Sequence, residues 1–361
     1  MSRGRSNRTD ISPPRAPTII DVAARAGLSK SVVSRVMRGE ASVSKASRAA
    51  VMSAAEELGY RANLVARSLV QRRTHNVGVV VSDLHNIFFA EVLDGLYSAA
   101  AELGYRALIT TGNRDPVAEQ RALEQLLELR AEGVVLAGSR IAAEAVADAA
   151  RTVPIAVVGS NLRLGGVDVV VDDDFRGAAL AVEHLVALGH RDVALIDGGM
   201  GAGAAERRAG YESTMIAAGL EAHVRIEVGD FTEGAGYEGG RRLLRGKRRP
   251  TAIFASNDQS AVGALNAINE AGLSVPDDVS LIGYDNTALA ALRHISLTTI
   301  HQPRKQIGEI ALKAVVRRIE SPGLPARRHV LAPKLVVRAT TAPPRSTATR
   351  RSLRRKRRSK S

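Results

Sequence analysis

The chain lacks cysteine and tryptophan altogether, and its 361 residues include only five phenylalanines and six tyrosines. The absence of thiols excludes disulfides, thiolate metal centres and cysteine nucleophiles, and it suits a reducing compartment such as the cytoplasm. The scarcity of aromatics leaves Ala, Val, Leu and Ile to build the core, and the length allows two or three domains. Long apolar runs are missing too. Nowhere do 18 apolar residues follow one another, and the basic N-terminus leads into no apolar h-region, so neither a membrane span nor a secretion signal is expected. The eight histidines are scattered without metal-ligand spacing. Neither a phosphate P-loop nor a Ser-His-Asp arrangement occurs. Gly199, Gly201 and Ala204 satisfy a GxGxxA pattern, but in a chain with 32 glycines that match is weak. It also lies mid-chain rather than in a first βα unit. No enzyme, cofactor or metal is therefore expected.

Charge is abundant and uneven. The formal net charge is +14. Residues 1–17 carry +3, residues 18–74 carry +6 and residues 345–361 carry +9, which leaves −4 on residues 75–344. A basic front end and basic tails on a mildly acidic body form the electrostatic pattern of a DNA-binding module joined to a module that does not bind DNA. Residues 1–17, rich in Ser, Arg and Pro, and the Arg-rich residues 345–361 are expected to be disordered tails.

The most informative stretch is TIIDVAARAGLSKSVVSRVMRG, residues 18–39. Thr18 can cap a first helix, with Asp21 near its positive end. Val22, Ala23 and Ala26 form an apolar face, and Gly27 stops the helix. Ser29 caps a second helix carrying Val32, Val33, Val36 and Met37. Lys30, Ser31, Ser34 and Arg35 fall near its N-terminus and outer face, the positions that reach base edges in a helix-turn-helix. Ser44 caps a third helix over 45–58, closed by Gly59 and Tyr60.

From Asn76 onward the pattern alternates between short apolar strands and amphipathic helices. Strands are expected at 77–81, 106–110, 134–137, 154–158, 192–196, 251–255 and 279–283, with helices at Ala90–Leu103 and Val117–Arg130 between the first of them. Continuous apolar strands joined by helices imply parallel sheets covered on both faces. About 270 residues is large for one sheet and fits two doubly wound lobes with a cleft between them, where ligands meet the carboxyl ends of strands.

The ordered strings DVAxxAG, LS, VSRV, the VS at 43–44, LGY at 58–60 and the run from Asn63 to Leu69 resemble the DNA-binding head of the LacI/GalR family of bacterial transcription regulators. The similarity continues to about residue 344. It implies an all-α helix-turn-helix head (18–62), a hinge helix and linker (63–74), and an α/β effector and dimerisation domain (75–344) like a type I periplasmic binding protein. Its two doubly wound parallel-sheet lobes would comprise 75–159 with 290–325 and 160–289 with 326–344.

By the same resemblance, Lys30, Ser31 and Arg35 occupy base-reading positions, with Arg35 able to fork onto guanine. Ser29, Arg38, Ser44 and Arg48 occupy phosphate positions. Asn63 would cap a hinge helix whose Ala66 packs in the minor groove and whose Leu69 wedges between base pairs. The chain departs from the family pattern at Val32 (usually Thr), Arg38 (usually Asn), Ala62 (usually Pro) and Ile87 (usually Pro). The implied partners are a double-stranded operator, bound by a homodimer, and a small effector. Residues 345–361 hold no leucine heptad of the kind that makes tetramers in some members. Effector positions implied are Asp83, Phe88, Phe89, Arg207, Phe231, Asn257 and Asp285, with core packing expected for at least one of the two adjacent phenylalanines. Arg208 is expected to face solvent, and Asp258 to cap a helix beginning at Gln259. One arginine, an aromatic platform and several polar groups suit a sugar. A purine, with ligand recruiting rather than releasing the regulator, is the alternative. An exported solute-binding protein, which would need a signal and lack residues 18–69, and a nicotinamide enzyme are disfavoured.

Overall fold

The computed structural model describes residues 15, 17–37, 40, 42–60, 73–160, 162, 164–246 and 248–345. The chain forms two compact units, Met1–Thr74 and His75–Ser361.

The first unit holds helices α1 (Ile19–Ala26), α2 (Lys30–Met37) and α3 (Lys45–Glu57). Local chemistry sets each boundary. Thr18 and Asp21 form a reciprocal capping box: the Asp21 amide donates to Thr18 Oγ1 at 3.4 Å, and the Thr18 amide donates to Asp21 Oδ2 at 2.7 Å. The Thr18 hydroxyl, which also donates to Asp21 Oδ2 at 2.7 Å, and the Thr18 amide together hold the Asp21 carboxyl below its usual range. Gly27 ends α1 at φ 64°, a left-handed conformation that side chains resist. Ser29 Oγ accepts from the Val32 amide at 3.3 Å, and Ser44 Oγ from Ser47 at 3.1 Å, so both serines cap the helices that follow them. Val22, Val33, Val36, Val51 and Ala54 close a small core.

The second unit contains two six-stranded sheets. The first joins β1 (Asn76–Val81), β2 (Arg106–Thr111), β3 (Gly133–Ala137), β4 (Ile155–Val158), β5 (Val167–Asp172) and β11 (Arg328–Leu331) in the order β11-β5-β4-β3-β1-β2, all parallel. The second joins β6 (Val193–Ile196), β7 (Ile226–Glu227), β8 (Ala252–Ala255), β9 (Ser280–Asp285), β10 (Thr298–His301) and β12 (Lys334–Val336) in the order β12-β10-β9-β8-β6-β7, with only β12 antiparallel. Helices α4 (Phe88–Glu102) and α12 (Arg304–Glu320) cover one face of the first sheet; α5 (Pro116–Glu128) and α6 (Ala143–Ala150) cover the other. On the second sheet, α7 (Asp174–Ala187) and α8 (Ala204–Ala217) take one face, and α9 (Glu233–Arg245) and α10 (Asp258–Glu270) the other. A short α11 (Ala288–Ala291) precedes β10. No helix among the described residues is long and apolar enough to cross a membrane.

The chain crosses between the lobes three times: after β5, between β10 and α12, and between β11 and β12. These crossings differ from the lobe limits expected from sequence. Residues 167–172 belong to the first lobe because β5 pairs with β4, Val169 opposite Val157. Residues 298–301 belong to the second because β10 pairs with β9, and residues 328–331 return to the first as β11. Long-range pairing decides these assignments, and strands of four to six residues announce none of it.

Candidate functional sites

In the head, Val33 and Val36 turn α2 toward the core. That leaves Lys30 and Ser31 exposed in its first turn and Arg35 half-buried one turn later. Ser29 and Ser44 hold helix N-termini, where backbone amides and the positive end of the helix dipole favour an anion. Arg48 donates to the Glu40 carbonyl at 2.6 Å and so ties α3 to the loop that follows α2. Arg38, Asn63, Ala66 and Leu69 lie outside the described residues.

In the body, all seven residues singled out by sequence line one cavity between the lobes: Asp83, Phe88, Phe89, Arg207, Phe231, Asn257 and Asp285. It encloses about 620 Å³ of space, part of it open to solvent. The Phe88 and Phe89 rings meet edge to face, with centroids 5.1 Å apart, and both also pack into the first-lobe core. Phe231 sits at φ 70°, its ring against Gly198 and Gly201 and 5.3 Å from the Arg207 guanidinium carbon. Asn257 is the N-cap of α10. Its Oδ1 accepts from the Ser260 amide at 2.8 Å, while its Nδ2 donates to the Phe231 carbonyl at 3.0 Å and holds that aromatic in place.

The floor of the cavity is a buried charge cluster. Arg207 Nε donates to Asp174 Oδ1 at 2.6 Å, and Nη1 donates to the Ser256 carbonyl at 2.5 Å. Asp285 Oδ1 lies 3.8 Å from Nη1 and accepts from Gln302 Nε2 at 2.6 Å. The Tyr284 ring stacks 3.8 Å from the guanidinium carbon, and its hydroxyl donates to Asp172 Oδ2 at 2.9 Å. Burial works against the Arg207 charge, but Asp174, Tyr284 and Asp285 outweigh it and hold the guanidinium above its usual range. Burial pushes the Asp174 and Asp285 carboxyls up despite Arg207, and lifts Asp172 to about 6. The arginine stays charged, and the dry surroundings limit how much negative charge the three carboxyls carry together. Asp285 adopts φ 111° and Asn286 φ 58°, so the turn carrying the second-lobe carboxylate is held in a sparsely populated conformation.

One sequence expectation is corrected. Asp258 does not cap a helix; it is the first residue of α10, and its carboxylate takes the Thr287 amide at 2.6 Å, the Thr287 hydroxyl at 2.9 Å and the Thr299 hydroxyl at 2.5 Å. Arg208 is exposed as expected, and it also pairs with the buried carboxylate of Asp197. Sequence reading also missed Arg114, Arg140, Asp172, Asp174 and Gln302 on the cavity wall. For Asp172 and Asp174 a signal exists in VDVVVDDD, an apolar strand ending in carboxylates, but β5 itself was not read as a strand.

These features define a class: a helix-turn-helix head carried on a two-lobed, small-molecule-binding body. Residues 18–63 match the model of bacterial regulatory proteins of the lacI family, and residues 182–341 match a periplasmic binding protein-like domain. The chain belongs to the lacI family of bacterial regulators, and it is a DNA-binding transcription regulator. It is 35% identical over 327 residues to the ribose operon repressor of Escherichia coli strain K12, covering 90% of this chain and 99% of the relative. Among solved structures it is similar to the lac repressor dimer bound to operator and the anti-inducer ONPF, with TM-score 0.81 and 28% identity over 91% of this chain and all of that one. A LacI-family regulator from Enterococcus faecium with bound ribose aligns with TM-score 0.69 and 28% identity, over 75% of this chain and all of that one. These relatives are regulators, not enzymes.

Proposed function

We propose that this chain is a cytoplasmic repressor. It binds a pseudo-palindromic operator as a homodimer and is controlled by a small sugar in the interlobe cavity. The observation that carries this is convergence: seven residues chosen for effector contact, spread from Asp83 to Asp285, line a single cavity. Lys30, Ser31 and Arg35 read base edges from α2, and Ser29, Arg38, Ser44 and Arg48 fix the register on phosphates. Asn63, Ala66 and Leu69 form the minor-groove element of the hinge. Two heads on one dimer bury enough surface for useful affinity where one does not.

The cavity suits a polyol. Phe231 and the paired phenylalanines offer apolar platforms, while Asp285, Arg207 and Asp83 offer hydrogen-bond partners for hydroxyls. Occupation draws the lobes together, changes the separation of the two hinge segments and alters the free energy of folding them on DNA. Effector and operator affinities are then reciprocally coupled. Selection of bound sequences from random DNA, with and without a panel of sugars, tests both halves. A palindromic consensus whose recovery shifts with one sugar is expected; a purified dimer that prefers no palindrome over scrambled duplex at moderate salt removes the proposal.

A further inference from the structure

Arg207 reaches the cavity with its charge already answered. Nε is held by Asp174 and Nη1 by the Ser256 carbonyl, with Asp285 beyond it; Nη2 donates to no described residue. Both partners of the ion pair are at least nine-tenths buried. Asp174 opens α7 at the end of the first crossover, and the turn over 199–204 folds directly onto it. Gly203 permits that approach, since a Cβ there would lie 2.5 Å from Asp174 Oδ2. Around the cavity, Asp83, Asp172, Asp174, Asp230 and Asp285 face Arg114, Arg140 and Arg207. Arg114 is bound to Asp230 at 3.0 Å. Arg140, on the first-lobe wall, makes no ion pair among the described residues. The floor therefore offers acceptors in excess: Oδ2 of Asp174 and Oδ2 of Asp285 receive no donor from the described residues.

We propose that Asp174 sets the chemical class of the effector: by neutralising Arg207 in advance, it admits uncharged molecules that bring hydroxyl or N–H donors and excludes carboxylates and phosphates. An entering anion sheds its hydration and finds at the floor a guanidinium already held by Asp174 and carboxyl oxygens that do not favour it; the cavity arginine without an ion pair among the described residues, Arg140, stands on the first-lobe wall. An uncharged polyol donates hydroxyl hydrogen bonds to the two free carboxyl oxygens and accepts one from Arg207 Nη2. This inference rests on the interlobe cavity being the effector site, and it names the ligand chemistry of that site.

The test is isothermal titration of the full-length protein with matched probes: ribose, ribonate and ribose 5-phosphate; glucose and gluconate; and the uncharged base hypoxanthine. An uncharged probe is expected to bind, and its acid counterpart to bind at least a hundredfold more weakly. Asp174→Asn should narrow that gap at least tenfold by admitting the acid, with operator binding retained as the control for folding. Equal affinity of the wild type for a sugar and its acid overturns the proposal, and so does an unchanged ratio in Asp174→Asn. If no probe binds the wild type, titration of Asp174→Asn with ribonate and gluconate decides: binding supports the charge rule and silence overturns it. Binding of hypoxanthine alone upholds the charge rule while removing the sugar reading. Phe231→Ala separates the two layers, because affinity indifferent to it overturns the cavity reading and this inference with it.

Discussion

Arg114, just beyond β2 in the first lobe, donates from Nη2 to the carbonyl of Asp230 at 2.9 Å and pairs with its carboxylate at 3.0 Å in the second lobe. The two lobes cannot separate at the cavity without breaking these bonds. Two hydrogen bonds from Thr232, and after them the Arg114 side chain, hold the Asp230 carboxyl below its usual range against its partial burial.

Because both side chains are partly solvated, the pair should contribute no more than about 1 kcal/mol to the closed state. Arg114→Ala and Asp230→Ala should each weaken effector binding by about threefold to fivefold. A double-mutant cycle read by calorimetry should show coupling between them. Strictly additive losses would dismiss the latch.

Arg35 stands on α2 away from the Val33 and Val36 core face. Its replacement by Ala should cost about 1–3 kcal/mol on the cognate site and far less on random duplex. Gel shifts on both DNAs measure the difference; equal losses would assign Arg35 to phosphate contact.

Asp258 is a structural clamp, with three buried donors converging on its carboxylate. Asp258→Ala leaves those donors without an acceptor and should destabilise the body by about 3 kcal/mol, while Thr299→Val should cost about 1 kcal/mol. Urea midpoints at unchanged slope report both values.

Burial raises the Asp172 carboxyl from 3.8 to about 6 in the folded protein. Between these values the native state keeps a proton that the unfolded chain releases. The contribution of Asp172 to stability is therefore greatest in acid and is lost as the pH rises through that window. Asp172→Asn does not titrate and retains an acceptor for the Tyr284 hydroxyl. Its stability relative to wild type should improve by up to about 3 kcal/mol between pH 4 and pH 7.5. Urea titrations at the two pH values check it, and a constant difference would mean that Asp172 titrates normally.

The head was legible because its determinants are local: Thr18 with Asp21, Gly27 and Ser44 act within one helical turn of themselves. The longer strands were legible as continuous apolar runs. β10, β11 and β12 were not, since runs of three or four mixed residues become strands only through partners distant in sequence. The cavity was half legible for the same reason. Missing β5 hid Asp172 and Asp174 at its carboxyl end, and with them the partner of Arg207. Asp258 misled because an Asp near a helix start has an ordinary local use, whereas its actual partners lie 29 and 41 residues away.

β11 and β12 are separated by Ala332 and Pro333 alone, yet they form the outermost strands of different sheets. One short ribbon thus hems both halves of the sensor. A stop codon placed anywhere before residue 328 would strip a border strand from each half at once. Neither half is a detachable cassette, and chimeras that exchange only one of them must be cut at all three crossings.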